Sequence, residues 1–311
     1  MPTLSVVIPA TDGRVTLERV LAAVRRASAG PEELIVVDRP SQLGPGAARN
    51  VGARRANGDV LVFVDSDVEV HEDVFARIRS VFDDDPSLSA IFGSYDDEPG
   101  GGGVVSDFRN LLHHHVHHQS AGLVTTFWSG LGAIRRDVFL ELEGFDERRD
   151  RAPFPRASVE DIELGMRLHA RGGRIVLDPR IQGKHLKEWG LVSMITTDLL
   201  RRGVPWLRLV LENRSGTAAL NLGWRNRLGI GASGLLVFAL ARRNVVLAGS
   251  TLALLIALDR RFYALLLRRR GPGCAAAGVP LHVIHRLASA AAVPIAVTDL
   301  LVEQFRKSSP A

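Results

Sequence analysis

The sequence predicts an α/β protein. A mostly parallel sheet flanked by helices is followed by an apolar, helical C-terminal region that associates with a membrane. Three observations predict this. Apolar β-branched runs alternate with helical periodicity through the first half, as βαβ units require. From about residue 200 onward that alternation gives way to apolar runs punctuated by arginine. The 311 residues are 46% hydrophobic and 23% charged, which excludes a disordered or collagen-like chain and leaves one large domain or two smaller ones.

The elements of the first half follow in order. Leu4–Pro9 (LSVVIP) is a continuous apolar run, the pattern of a strand buried on both faces. Leu17, Val20, Leu21 and Val24 recur at helical spacing and predict a helix over Val15–Ala27. Glu33–Val37 is a second strand, broken by Asp38-Arg39-Pro40-Ser41. Pro45 at the first turn marks a helix over Pro45–Ala56. Val60–Val64 is a third strand ending in Asp65-Ser66-Asp67, Val74–Phe82 a helix, Ala90–Phe92 a short fourth strand and Arg174–Leu177 a later one. In such sheets ligands bind beyond the carboxyl ends of the strands. Asp38 and the Asp65/Asp67 pair both sit at such ends.

In the second half Leu228–Ala241, Asn244–Leu258, Gly271–His285 and Leu287–Thr298 carry no formal charge. Arg242-Arg243, Asp259-Arg260-Arg261, Arg268-Arg269-Arg270 and Arg286 bound these runs. No run reaches the roughly 20 residues that span a bilayer comfortably. Arginine side chains snorkel, so shorter runs still suit membrane helices, and arginine rims suit an anionic inner leaflet. The competing reading is a buried helical core in a soluble domain. A hairpin of two spans puts Arg242-Arg243 on the outer side, against the positive-inside bias, so spanning and in-plane arrangements both stay open. The N-terminus lacks the basic region of a signal peptide, so the first half is expected on the cytoplasmic side of the cell membrane. The expected boundaries are 1–190 for the α/β domain, 191–227 for an Arg-rich amphipathic connector and 228–311 for the apolar helical region.

The formal charge is +5, and lysine occurs only at Lys184, Lys187 and Lys307. An arginine excess suits anionic lipid, a phosphorylated substrate or nucleic acid. Nucleic-acid binding needs aromatics interleaved with a basic face, whereas here arginine alternates with aliphatic runs, so no nucleic-acid partner is expected. The single Cys274 forms no internal disulfide, which excludes an oxidised scaffold.

Several positions carry possible chemistry. Asp65 and Asp67 project to the same side if the chain is extended, and crowded carboxylates repel unless a cation lies between them. Oxygen ligands suit Mg²⁺ or Mn²⁺, although Asp is also common in turns after strands. Ser158 stands three residues before Asp161, as in a capping box, and spacing alone favours a cap over a general base. His185 is a lone histidine, of interest only beside Asp67. His113/His117 and His114/His118 have the i, i+4 spacing of zinc ligands, but a polar helix face is the favoured reading. Gly44-Pro45-Gly46-Ala47-Ala48-Arg49 is a partial Gly-rich turn before a helix, a weak candidate for phosphate binding.

Taken together and in order, SVVIP, the strand ending VVD, GAARNVGARRANGDVLVFVDSD, FWSGLGAIRRDVFLELEGFDE and VEDIELGMRL resemble an inverting family 2 glycosyltransferase with a GT-A fold. The resemblance covers roughly residues 3–190, and the apolar C-terminal region is similar to that of the membrane-attached members. It implies a hexosyltransferase-type enzyme that moves one sugar from a nucleotide-diphospho-sugar, UDP favoured over GDP, to a hydroxyl on a lipid or glycan acceptor of the cell envelope. It implies Pro9 and Asp38 in the base and ribose pocket, Arg49 near the base or ribose, and Asp65 on the ribose. Asp67 and His185 would hold a divalent cation, Mn²⁺ or Mg²⁺. Asp161 would be the catalytic base, with Trp128, Gly130 and Glu160 lining the acceptor or donor-sugar pocket.

The sequence departs from the family pattern in three places. Ala10-Thr11-Asp12-Gly13 replaces the usual Asn-Glu after the first strand, and Asp38-Arg39 replaces Asp-Asp after the second. The Gln-x-x-Arg-Trp motif of processive synthases is absent; its nearest counterpart, Arg201-Arg202-Gly203-Val204-Pro205-Trp206, makes Arg201 or Arg202 a candidate contact for the leaving diphosphate. Two alternatives are a sugar-phosphate nucleotidyltransferase, for which Ala10-Thr11-Asp12-Gly13-Arg14 is a poor loop, and a catalytically inactive membrane scaffold of the same fold.

Overall fold

The computed structural model describes residues 1–11, 15–150, 159–213 and 223–308. Asp12–Arg14 of the loop after the first strand and Ser158 of the expected capping box lie outside the described residues. The chain forms two compact units: Met1–Gly102 with Asn110–Glu188, and Gly103–Arg109 with Trp189–Ala311.

The first unit is built on β1 (Leu4–Pro9), buried at every residue as its unbroken apolar run demands. Its neighbours β2 (Glu33–Val37) and β3 (Val60–Val64) both run parallel to it. The crossovers are α1 (Leu17–Arg26), which buries Leu17, Val20, Leu21 and Val24, and α2 (Pro45–Arg55), which starts at Pro45. Then follow β4 (Val68–Val70), α3 (Val74–Asp84), β5 (Leu88–Tyr95), α4 (Val104–Gln119), β6 (Gly122–Val124), β7 (Leu131–Arg135), α5 (Arg136–Glu141), α6 (Glu160–Ala170) and β8 (Arg174–His185). The first turn and a half of α4 belongs to the second unit and the rest to the first.

The strand order is β2-β1-β3-β7-β5-β8-β4, with β6 paired to β8. The sheet is therefore mixed rather than mostly parallel: β7 enters antiparallel to both β3 and β5, and β8 runs antiparallel to β4 and β6. β7 runs back along β3 because it enters from the Trp128–Gly130 loop, whose Gly130 carbonyl accepts from Asp65 N–H at 3.0 Å just past the end of β3. β5 and β8 are longer than their apolar cores suggested. Their register jumps from Phe92↔Leu177 to Ser94↔Gln182, so the turn-like Asp178-Pro179-Arg180 bulges out without ending the strand.

The second unit is helical. It contains α7 (Leu191–Thr196), a π-helical segment Thr197–Gly203, α8 (Val204–Asn213), α9 (Trp224–Ala241), α10 (Val245–Leu258) and α11 (Arg260–Ser308). Gly271, at φ 81°, breaks α11. Asp198 binds Arg109 and His285, each at 2.7 Å, and Asp259 binds Arg286 at 2.7 Å. α9 and α10 pack through Ala232, Leu236 and Leu255, leaving Val237, Phe238, Leu240, Val245 and Val246 exposed. α10 has 14 residues, about 21 Å of helix, short of the roughly 30 Å apolar thickness of a bilayer. Arg260–Phe305 is long and apolar enough to cross one, with 33% of its most apolar stretch buried.

The histidines of α4 serve the sheet. His114 Nδ1 donates to Tyr95 O at 2.8 Å and His117 Nδ1 to Gly93 O at 3.0 Å, at and just past the register shift of β5. His113 stacks near His117 and His114 on His118, with ring centroids 4.0 and 3.9 Å apart. Among the described residues no group of three or more His, Cys, Asp or Glu is placed to hold a metal.

Burial, with the neighbouring His114, pushes the His118 imidazole down to about 4. The unfolded chain, near 6.5, then binds a proton before the folded one does. Stability is full above about pH 6.5 and is lost as pH falls toward 4. Urea midpoints at pH 7 and pH 4.5 are expected to fall further for wild type than for His118→Gln. Equal falls would contradict the half-buried neutral imidazole.

Candidate active site

Asp65 and Asp67 do not lie on extended chain. Val68 N–H donates to Asp65 O at 3.0 Å and closes a turn over the motif. The turn sends the two carboxylates to different partners.

Asp65 meets Arg49 of α2. Arg49 is 4% exposed; its Nη2 donates to Asp65 Oδ1 at 2.6 Å and its Nη1 to Glu160 Oε1 at 2.8 Å. Phe145 lies under the guanidinium, 5.7 Å from Cζ to the ring centroid. Burial opposes the charge on Arg49, but Asp65, Glu160 and Asp161 together outweigh it and hold the guanidinium strongly protonated. Arg49 thus ties α2, the end of β3 and the start of α6 together from inside, and does not stand exposed in the cleft.

Asp67 meets His185. The antiparallel pair Val68↔His185 brings them side by side, and Leu186 N–H donates to Asp67 O at 2.8 Å. His185 Nε2 is 3.5 Å from Asp67 Oδ2. Burial pushes the Asp67 carboxyl up, but the hydrogen bond and charge of His185 in its imidazolium form, with Lys187 nearby, outweigh it and hold Asp67 below the ordinary range. Asp65 is pushed up by burial, opposed by Arg49 and aided by the Asp67 charge. Two carboxylates so placed titrate as a pair.

Asp161 stands one residue inside α6, whose cap position is Val159. Its Oδ1 accepts from Ile162 N–H at 2.8 Å, and its Oδ2 accepts from Ser129 N–H at 3.1 Å and Ser129 Oγ at 3.3 Å. The carboxylate is oriented by the loop before β7, and the Ser158 partner of the expected capping box lies outside the described residues. In that loop Trp128 is buried, edge-on to Tyr95 at 4.9 Å. A Cβ on Gly130 would fall 2.4 Å from the indole ring, so glycine is required there.

Pro9 ends β1, and Asp38 directly follows β2. Asp38, Arg39, Pro40, Ser41 and Gln42 line an open cleft of about 530 Å³, within the range of small-molecule sites. Arg201 and Arg202 lie on the π-helical segment of the second unit.

The Asp67–His185 pair fits the divalent cation that the resemblance implies. One carboxylate oxygen and one imidazole nitrogen suit Mn²⁺ or Mg²⁺. Two protein ligands leave the rest of the coordination shell to phosphate oxygens and water, the habit of a cation shared with a diphosphate.

Two residues at this site carried no signal in the motifs. Tyr95 stacks flat on His185, with centroids 4.1 Å apart and planes at 8°, and Asn110 Oδ1 lies 2.6 Å from His185 Nδ1. Asn110, His113, His114 and His117 follow helical spacing along α4, and that polar face was the readable trace of Asn110.

Residues 39–143 match the family described as Glycosyl transferase family 2. The fold is similar to that of the mannosyltransferase PcManGT from Pyrobaculum calidifontis in complex with GDP-Man and Mn²⁺. The TM-score is 0.55 at 17% identity, over 93% of this chain and 86% of that one. A lower similarity is to glucosyl-3-phosphoglycerate synthase from Mycobacterium tuberculosis in complex with Mn²⁺, UDP-Glc and phosphoglyceric acid. Here the TM-score is 0.45 at 20% identity, over 71% of this chain and 82% of that one. Residues 39–143 match a family 2 glycosyltransferase domain, and the chain that carries them has a GT-A fold.

Proposed function

We propose that the chain is an inverting, cation-dependent glycosyltransferase. It transfers one sugar from a nucleotide-diphospho-sugar, UDP favoured over GDP, to a hydroxyl on a lipid-linked or cell-envelope glycan precursor. The observation that carries the proposal is the grouping of Asp65, Asp67, His185 and Asp161 at the carboxyl ends of β3 and β8 and the start of α6. The metal found with GDP-Man in the Pyrobaculum structure agrees with the donor set here.

Pro9 and Asp38 line the base and ribose end of the donor site, and Asp65 takes the ribose. Arg49 acts on the ribose through Asp65, since its own guanidinium is buried. Asp67 and His185 hold Mn²⁺ or Mg²⁺, which when bound neutralises charge on the leaving diphosphate. Arg201 or Arg202 adds a contact to that diphosphate. Trp128, Gly130 and Glu160 shape the sugar end of the cleft.

The acceptor oxygen attacks the anomeric carbon from the face opposite the diphosphate. The bond from that carbon to the diphosphate oxygen breaks, and Asp161 takes the hydroxyl proton. Its grip by Ser129 fixes the direction of the lone pair that receives it. Positioning and fixed charge supply most of the acceleration.

Asp161→Asn separates chemistry from structure. An amide oxygen keeps one of the accepted hydrogen bonds but cannot take the proton. Transfer is expected to fall roughly 10²–10⁴-fold. Donor affinity should persist, with stability within about 1 kcal/mol of wild type. Near-normal transfer would place the base elsewhere, Glu160 first.

We further propose that the second unit attaches the enzyme to the cell membrane, with the catalytic domain on the cytoplasmic side. The support is the exposed apolar side chains of α9 and α10 between arginine pairs, and the length of Arg260–Phe305. Full-length enzyme is expected to stay with the membrane fraction in high salt and to be released by detergent. Recovery in the soluble fraction without detergent would overturn this.

A further inference from the structure

His185 is buried and held on three sides. Tyr95 stacks on one ring face, Nε2 points toward Asp67 Oδ2 at 3.5 Å, and Nδ1 lies 2.6 Å from Asn110 Oδ1. An amide side chain can present either its oxygen or its nitrogen to a ring nitrogen. Here the choice is set from the other side. Asn110 Nδ2 donates to the backbone carbonyl of Lys187 at 3.4 Å, and a carbonyl can only accept. The Asn110 oxygen therefore faces His185, so Nδ1 must carry the proton. A neutral imidazole protonated at Nδ1 keeps its lone pair on Nε2, the atom beside Asp67. In the opposite tautomer two lone pairs would meet at 2.6 Å, and an N–H would fill the place where a cation binds.

Docking of α4 does not depend on this bond. His114 and His117 already anchor the helix to Tyr95 O and Gly93 O. Asn110 lies on the same face, one turn earlier, and spends its oxygen on a side chain instead of the sheet backbone.

We infer that Asn110 is a positioning residue of the cation site: by accepting from His185 Nδ1 it fixes the imidazole as an Nε2 ligand beside Asp67. This rests on the cation site proposed above. Metal-bound histidines commonly donate their second ring N–H to an acceptor, and loss of that acceptor typically weakens metal binding 10–100-fold.

The test is Mn²⁺ affinity of the full-length enzyme in the presence of UDP, read from the electron paramagnetic resonance of free Mn²⁺. Asn110→Leu is expected to bind Mn²⁺ about 10–100-fold more weakly than wild type. Asn110→Asp, whose carboxylate accepts the same N–H, should bind within a few fold of wild type. Asp67→Asn is the control for the site itself. If Asp67→Asn weakens Mn²⁺ binding and Asn110→Leu does not, the positioning role of Asn110 is wrong. If Asp67→Asn binds as wild type does, the cation site is wrong and the inference falls with it. Nitrogen-15 NMR of the metal-free wild-type enzyme at pH 8.5 gives a second readout, which holds even if Asn110→Leu does not fold. The proton of His185 is expected on Nδ1, and a proton on Nε2 would overturn the inference.

Discussion

Carboxylates crowd the end of β3 and the start of α6, and the buried guanidinium of Arg49 is what lets them coexist. Asp65 and Glu160 each hold one of its nitrogens, and Asp161 lies near enough to strengthen its charge. Stranding a buried charge by losing its partner costs about 3–5 kcal/mol. Through this one side chain α2, the end of β3 and the start of α6 keep a common geometry, although Arg49 and Glu160 are 111 residues apart. The arrangement also sorts the carboxylates. Glu160 is paired with Arg49 inside the protein, and Asp65 is paired with it at the edge of the cleft. Asp161 is oriented by Ser129, and Asp67 is turned toward His185, where positive charge from outside can complete the site.

Much of this was legible in the sequence where the cause is local. The apolar runs of β1, β2 and β3 fix those strands to the residue, and Asp38, Asp65 and Asp67 follow from their carboxyl ends. What depends on pairing between distant segments was not. His185 comes beside Asp67 only because β4 pairs antiparallel with the end of β8. β7 makes the sheet mixed, and its short Leu-Gly-Ala-Ile-Arg run carries little strand signal of its own. The zinc-like spacing of the α4 histidines has a different cause. Ring N–H groups of His117 and His114 donate to the Gly93 and Tyr95 carbonyls at and just past the register shift in β5. Arg49 followed a Gly-rich turn that suggested phosphate, but the carboxylates of two other elements close over it.

The resemblance supplied what local patterns left open. Ser158-Val159-Glu160-Asp161 looked like a helix cap, whereas the resemblance made Asp161 a base. The hydrogen bonds of Asp161 run to Ser129 and Ile162, which is compatible with a base held ready in the cleft. In the second unit helix length is the informative quantity. α10 is too short to cross a bilayer alone, while the arginines at the ends of α9 and α10 and the apolar side chains between them suit a helix pair lying at a lipid surface.

The central claim is that Asp67 and His185 hold a divalent cation that also meets the donor diphosphate. Anomalous diffraction at the manganese edge, from crystals grown with MnCl₂ and UDP, tests it directly. One strong peak is expected within about 2.3 Å of both an Asp67 carboxylate oxygen and His185 Nε2, in contact with the diphosphate oxygens. Bound UDP with no anomalous peak at that pair, or with the peak held by other side chains, would contradict it.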